Sequence, residues 1–445
     1  MKAAFIAAEY NPLHFGHVYH ISKTRSDLSP DAVVCIMSGH FTQRGSAAIA
    51  DKWSRARMAL HAGADLVLEL HPVYALSSAE GFARGAVATA SQLGAGGWLS
   101  FGAECPDMVL LQQLSAILAE EPALFKESLR IALDKGESFA AARQKALADC
   151  YTAARSGSAR GAANADMTRG AVYADMTRGA ACGAADRSVI NSIIRAPNNI
   201  LALEYIKAIT TLGADLIPHA VQRNRGCPSA AQIRTALYES GAVYEDLLNP
   251  GTAAKLPSPL SFLPDYTRAL LISEFSAGRG PVFDGAFYPQ IQSVIRGRDA
   301  DVLLAFGDAG EGLHNRIFRS AAISSCYDEF IENAASRRFP KSRVRRAAAR
   351  ALLGFNTDCL NSPLTEGGPP YLRVLGFTNA GRRLLAESPP RVPAVSNFKQ
   401  IYKIGERARE FMRLEARATD IYAAAFQNPA FRVSGQDYLR GPAVL

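Results

Sequence analysis

His14 and His17 flank Phe15 and Gly16 directly after an apolar run, in "AAFIAAEYNPLHFGHVYH". Two imidazoles held together at the first turn of a helix donate hydrogen bonds to phosphate oxygens while charge redistributes during displacement at phosphorus. The unpaired N–H groups of a helix start favour the same anion. Gly16 lets the backbone approach a ligand or a neighbouring strand closely. The plain alternative is a pair of solvated surface histidines. A second polar group, "SGHFTQRG", offers Ser38, Gly39, His40, Gln43 and Arg44, with Lys52 and Arg55 opening the next helix. Those residues either contact substrate from one basic mouth or form a polar loop beside a solvated helix face. Further along, "RRFPKSRVRRAAAR" (337–350) holds seven basic residues and no acid. There Arg343, Arg346 and Arg350 fall three and four apart, on one face of an expected helix. With Val344, Ala348 and Leu352 as the docking stripe, that arginine row is expected to face outward and meet an RNA phosphate backbone, the plain alternative being a solvated basic face.

The elements that must position these groups alternate. Apolar runs at 3–8, 31–39, 65–70 and 97–104 read as buried strands, and 51–65 and 77–93 read as helices. Strand–helix alternation indicates βαβ units and a parallel sheet, in which ligands sit at the carboxyl ends of strands. Helical patterns follow at 105–151, 196–209 and 227–240, and from about 250 onward helical patterns separated by Pro-rich breaks dominate. The expected fold is therefore α/β: a Rossmann-like catalytic domain over 1–245, then a mostly helical domain over 246–445. Within the first, the stretch 153–188 is rich in Ala, Gly, Arg and Ser and repeats "ADMTRGA" at 165 and 174. It reads as a low-complexity insertion, too short for a solenoid.

Composition bounds the function. Of 445 residues, 48% are hydrophobic and 20% charged, as expected of a folded globular protein, and the net charge of +8 leans toward polyanionic partners. The seven cysteines are scattered, odd in number and without a CxxC pair, so neither a disulfide framework nor a zinc ribbon is expected, and no metal ligands are assigned. No uninterrupted apolar run reaches about 18 residues, and the N-terminus is too polar for a signal peptide. A cytoplasmic protein without a membrane partner is expected.

The HxGH pattern at 14–17 is the signature of the nucleotidyltransferase and class I aminoacyl-tRNA synthetase superfamily. Together, "EYNPLHFGHVYH", "MSGHFTQRGSAAIADKWSRARMAL", "GADLVLEL", "FGAE", "PNNILALEYIKAI" and "EGLHNRI" resemble the tRNA(Met) cytidine acetate ligase family. The resemblance covers residues 1 to about 240 and continues more weakly to about 385. It implies a Rossmann-like ATP-binding domain followed by a helical, tRNA-binding region. The implied activity converts acetate and ATP to acetyl-adenylate, with Mg²⁺ shielding the phosphates, and passes the acetyl group to N4 of the wobble cytidine of elongator tRNA(Met). The ATP-binding stretch it implies runs through Ala7, Ala8, Glu9, Tyr10, Asn11, Pro12, Leu13, His14, Phe15, Gly16, His17, Val18, Tyr19 and His20. Gly102 in "FGAE", Asn198 in "PNN", and Arg223 and Asn224 in "VQRNRG" match further nucleotide contacts. His14 and His17 carry the catalytic role. Superfamily members often grip the triphosphate with a Ser-Ser-Thr-x-x-Arg-like turn. Here "PSAAQIR" keeps Ser229 and Arg234 but has alanines at hydroxyl positions. Two other readings stand beside the ligase: a small-molecule adenylyltransferase with the same motif, and a catalytically weak RNA-binding protein.

Overall fold

The computed structural model describes residues 1–155, 187–224, 226–239, 261–355 and 367–445; the "ADMTRGA" repeats lie outside them. Lys2–Ala8 (β1), Ala32–Ser38 (β2), Leu66–Leu70 (β3), Gly96–Ala103 (β4) and Leu216–Gln222 (β5) form a parallel sheet in the order β5-β4-β1-β2-β3. Phe15–Leu28 (α1), Lys52–His61 (α2), Ala79–Gln92 (α3), Met108–Glu120 (α4), Pro197–Leu212 (α5) and Ala230–Glu239 (α6) supply the surrounding helices. Every residue of β2 and β3 is buried, because helices cover both faces of the sheet. Alternate residues feed separate cores. Phe5, Val34, Ile36 and Leu68 pack with Phe82, Leu114 and Leu203 of α3, α4 and α5. Ile6, Val33, Met37 and Val67 pack with Trp53 and Met58 of α2.

After β3 the chain crosses to the other side of β1 to make β4. The strand order therefore reverses between β1 and β4, and in sheets of this kind the ligand crevice lies outside the carboxyl ends at that reversal. The two strands lie so close that a Cβ at Gly97, φ 148°, would run into the Ala3 carbonyl. The edge strand β5 is absent from the sequence reading. Pro218 and His219 interrupt it, and only Leu216 and Val221 are buried, so it lacks the apolar run of a central strand.

The C-terminal half is mostly helical, as expected. It builds its own core, in which Phe287, Leu313, Phe330 and Val344 meet; Lys341–Leu353 (α7) and Glu406–Ala423 (α8) both pack there. The expected division near 245 does not separate sheet from helices, however. Leu372–Phe377 (β6) pairs antiparallel with β3, and Ala394–Val395 (β7) and Ala443–Val444 (β8) pair with β6. Fading strand signals past 250 hid these short pieces. A buried ion network joins the halves: Lys52 lies 2.8 Å from Glu69 and 2.8 Å from Asp437, Arg373 lies 3.1 Å from Asp437, and Tyr371 donates to Glu415 at 2.9 Å. Among the described residues no helix is long and apolar enough to cross a membrane.

Candidate active site

His14 ends the loop after β1 and caps α1. Its Nδ1 accepts the Gly16 N–H at 3.1 Å, and the His14 N–H donates to His17 Nδ1 at 3.2 Å, a reciprocal capping box built from two imidazoles. The ring centroids stand 3.8 Å apart, and Tyr10 meets His17 edge-on at 5.0 Å. Burial, then the charge of Arg223, brings His14 down to about 4; burial, then His14, His20 and Arg223, holds His17 well below the usual histidine range. Both rings are therefore neutral near pH 7. A neutral imidazole carries one proton, and each Nδ1 is an acceptor, so both protons sit on Nε2. No hydrogen bond among the described residues uses either Nε2. The loop thus presents two preset N–H donors at one spot.

Glu104 organises the β4 side of the crevice. Its carboxylate accepts from Asn198 Nδ2 at 2.7 Å and from the Asn199 N–H at 3.1 Å, and lies 3.6 Å from Arg223. Asn199 Oδ1 returns the contact by accepting the Glu104 N–H at 3.0 Å. "FGAE", "PNN" and "VQRNRG", far apart in sequence, are thereby one assembly. A Cβ at Gly102 would meet no protein atom within 4 Å, so the protein's own packing does not require that glycine. Asn224 Oδ1 closes a turn by accepting the Gly226 N–H at 2.9 Å. On the other flank Arg234 donates to the Asn11 carbonyl at 2.6 Å, so α6 holds the HxGH loop.

The HIGH Nucleotidyl Transferase family matches residues 1–437 of this chain. The tRNA(Met) cytidine acetate ligase of Acetivibrio thermocellus is 35% identical over 100% of both chains, and that of Alkaliphilus metalliredigens is 32% identical over 99% of this chain and 98% of its own. The chain belongs to the tRNA(Met) cytidine acetate ligase family. Its fold follows that of Thermotoga maritima TmcAL bound with alpha-thio ATP, with TM-score 0.84, 30% identity and full coverage of both chains. Against the apo form the TM-score is 0.83.

In this member of the tRNA(Met) cytidine acetate ligase family the expected site residues divide. His14, His17 and Arg223 come together, Asn198 and Arg223 share Glu104, Arg234 holds Asn11, and Gly102 lies at the carboxyl end of β4. Within the 7–20 stretch, Tyr10 and Leu13 are buried, the Tyr10 hydroxyl against Cys35 Sγ at 3.1 Å, so both belong to the core that supports the loop. Phe15 and Tyr19 are exposed, while His20 turns toward the sheet, 3.0 Å from Ser100 Oγ. The Ser229 hydroxyl caps α6, accepting the Gln232 N–H at 3.3 Å and donating to Gln232 Oε1 at 2.9 Å.

Other expectations are corrected. Ser38 and His40 are buried rather than lining a mouth; the His40 ring lies 4.3 Å from that of Tyr422 in α8. Gly39 abuts Glu69. Lys52 is locked in the ion network, and Arg55 is fully buried, donating to the carbonyls of Glu9 at 2.6 Å, Ser38 at 3.0 Å and Ala50 at 3.0 Å. Of that group Gln43 and Arg44 stay near the crevice, with the Gln43 N–H bonded to Glu9 at 2.8 Å. The arginine row is turned inward. Arg346 (8% exposed) lies 2.6 Å from Asp308, Arg350 (6% exposed) donates to the Leu76 carbonyl at 2.8 Å, and Arg343 reaches the Asp308 carbonyl at 3.1 Å. Helical spacing put the three on one face, but the acid that claims this face lies 38 positions away from Arg346 and left no local signal. Glu104 and Arg55 were missed as organising residues. The strong sign for each is a tertiary partner, which one sequence does not reveal.

Proposed function

We propose that this protein activates acetate with ATP to acetyl-adenylate and transfers the acetyl group to N4 of the wobble cytidine of elongator tRNA(Met). The observation that carries the reading is the pair of neutral imidazoles whose Nε2–H donors are preset by the Gly16 and His14 N–H groups. In this reaction an acetate oxygen attacks the α-phosphorus and pyrophosphate leaves. The two donors hold phosphate oxygens as charge shifts onto the leaving group, and their preset orientation removes reorganisation from the barrier. Neutrality matters as well, since donors that are not cations do not trap the product electrostatically. Gly102 and the Glu104-centred assembly provide open backbone and amide edges for adenosine. The cytidine amine, splayed from its stack, then forms the N–C bond at the acyl carbon as AMP departs and the amine gives up a proton. The name and bound analogue of the T. maritima relative support the ATP half of this reading.

Among the described residues magnesium finds no dedicated cage. The group with ligand spacing among the described residues, Glu69, Glu415 and Asp437, is buried around the Lys52 ammonium, which takes a cation's place. An ion accompanying ATP would be held by phosphate oxygens and water, and no step is assigned to it.

Pyrophosphate exchange into ATP tests the first half. Exchange that depends on acetate supports the ligase. Exchange that ignores acetate but requires a nucleotide-like co-substrate supports a small-molecule adenylyltransferase, and absence of exchange leaves an RNA-binding protein. Acetylation of elongator tRNA(Met) transcripts, with and without the wobble cytidine, tests the second half. The RNA surface is proposed to involve the exposed members of the basic segment, Arg337, Arg338 and Lys341, in place of the inward row.

A further inference from the structure

The loop between β2 and α2 is gripped from two sides. The Gln43 N–H donates to Glu9 at 2.8 Å and the Ile49 N–H to Asn11 Oδ1 at 2.8 Å, both on the HxGH side. From the C-terminal half, Asp284 accepts the Ala47 N–H at 2.7 Å. Gly45, φ 80°, sits so tightly against α7 that a Cβ would strike the Arg346 backbone nitrogen. Arg44 lies on this loop, Arg345 on the helix beneath it, and Arg234 beside it on Asn11. The charges of Arg44 and Arg345 both bear on Arg234, whose pKa is lowered first by burial. The facing acids are Glu9, used by Gln43, and Asp284, used by Ala47. Three guanidiniums thus face two carboxylates that already have partners.

Arg345 differs from its helix neighbours. Arg343, Arg346 and Arg350 all reach Asp308, whereas Arg345 points to the other side, toward Tyr327 and Asp284. Its Nε is buried without a hydrogen-bond partner. Meanwhile "PSAAQIR" lacks hydroxyls where triphosphate donors are expected, and the hydroxyl that remains, on Ser229, is engaged by Gln232. Hydroxyl donors for the far end of the nucleotide are missing from the start of α6, and Arg345, whose Nε has no hydrogen-bond partner, stands near it.

We propose that Arg345, together with Arg234 and Arg44, clamps the β- and γ-phosphates of ATP and the pyrophosphate they become, so that the C-terminal half contributes a residue to adenylation. Guanidinium forks match phosphate oxygens in pairs and stay charged at any working pH. Arg234, bonded to Asn11, sets this cluster at the end of the same loop that carries His14 and His17, as a chain of phosphates would require. The inference rests on the ATP-dependent reading above.

The test uses the full chain and three probes: ATP, pyrophosphate and AMP, measured by calorimetry or competition. Arg345→Gln is expected to weaken pyrophosphate and ATP binding about 10–100-fold, the worth of a charge-assisted contact, while AMP binding stays within about twofold. Arg345→Lys should recover part of the loss by restoring charge without the fork. Arg343→Gln, on the same helix but facing Asp308, should leave pyrophosphate binding unchanged. Equal weakening of AMP and pyrophosphate by Arg345→Gln would make the residue structural and overturn the proposal, as would unchanged pyrophosphate binding. A parent protein that binds AMP and ATP equally well, with no measurable pyrophosphate affinity, would also overturn it. A parent that binds no nucleotide would remove the adenylation reading along with it.

Discussion

Two polar assemblies flank the same sheet and have opposite bonding states. Around Lys52 every charge is answered from within: Glu69, Glu415 and Asp437 surround the ammonium, and Arg373 answers Asp437 in turn. Burial, then the adjacent Glu415, pushes the Glu69 carboxyl well above its usual range, while burial opposes and Asp437 and Glu69 support the Lys52 charge, which ends above its usual range. At the HxGH loop the internal bonds stop halfway. Each imidazole uses Nδ1 to shape the turn and leaves Nε2–H without an internal partner. The first assembly holds the two halves of the chain together; the second has capacity left over for a ligand. Residue type does not tell them apart, since "SGHFTQRG…DK" looks as reactive on paper as "HFGH". What separates them is whether the fold has already satisfied the group.

The sharpest way to break this comparison is to remove the leftover donors. Replacing both His14 and His17 with Ala is expected to abolish acetate-dependent pyrophosphate exchange, since each donor commonly contributes about 2.7–4 kcal/mol to the barrier. Global stability should fall only by about 1 kcal/mol, the worth of a helix cap. Normal exchange by the double variant would sink the assignment. The satisfied assembly should respond in the reverse way. Lys52→Ala leaves buried carboxylates facing one another and should cost about 3–5 kcal/mol in denaturant unfolding, with residual folded protein still binding ATP. A smaller effect is expected from Arg346→Gln, which strips Asp308 of its nearest partner: about 1–3 kcal/mol of stability, with adenylation and tRNA acetylation falling together. Selective loss of tRNA acetylation would instead restore the outward arginine row. The smallest effect is an absence of titration. The folded His14 titrates near 4 because of burial and then Arg223, against about 6.5 when unfolded. Between those values the unfolded chain binds more protons, so His14 favours folding above about pH 6.5 and that contribution declines as the pH drops toward 4. The kcat/KM of exchange should accordingly show no imidazole break between about pH 6 and about pH 8, and a break near 6.5 would mean solvated rings.

The sequence was legible where chemistry is local. The strands β1 to β4, the HxGH turn and the alternation that builds a parallel sheet all follow from short apolar runs and a motif attached to the first of them. Arg234 and Asn198 were found because the family pattern pointed at them. The inward turn of Arg346 and Arg350, the burial of His40 beneath Tyr422 and the clasp of Glu104 on α5 depend on partners distant in the chain. Helical spacing says which residues share a face but not which neighbour covers it. The edge strand β5 escaped for a related reason: pairing on a sheet edge needs little hydrophobic pattern of its own.

The bond between Arg440 and Asp51 joins residues 389 positions apart. Asp437, one turn earlier, is one of the carboxylates that balance Lys52. During synthesis the segments of the first four strands therefore precede by far two of the three carboxylates that balance the buried Lys52 ammonium. Until residues 415 and 437 arrive, Lys52 has Glu69 alone, and the outer edge of β3 waits for β6. Before then the buried ammonium lacks two of its three carboxylates and β3 lacks its antiparallel neighbour. Final consolidation of the catalytic half is thus timed by the tail of the chain, and a premature stop would leave an HxGH loop on a sheet unable to seal.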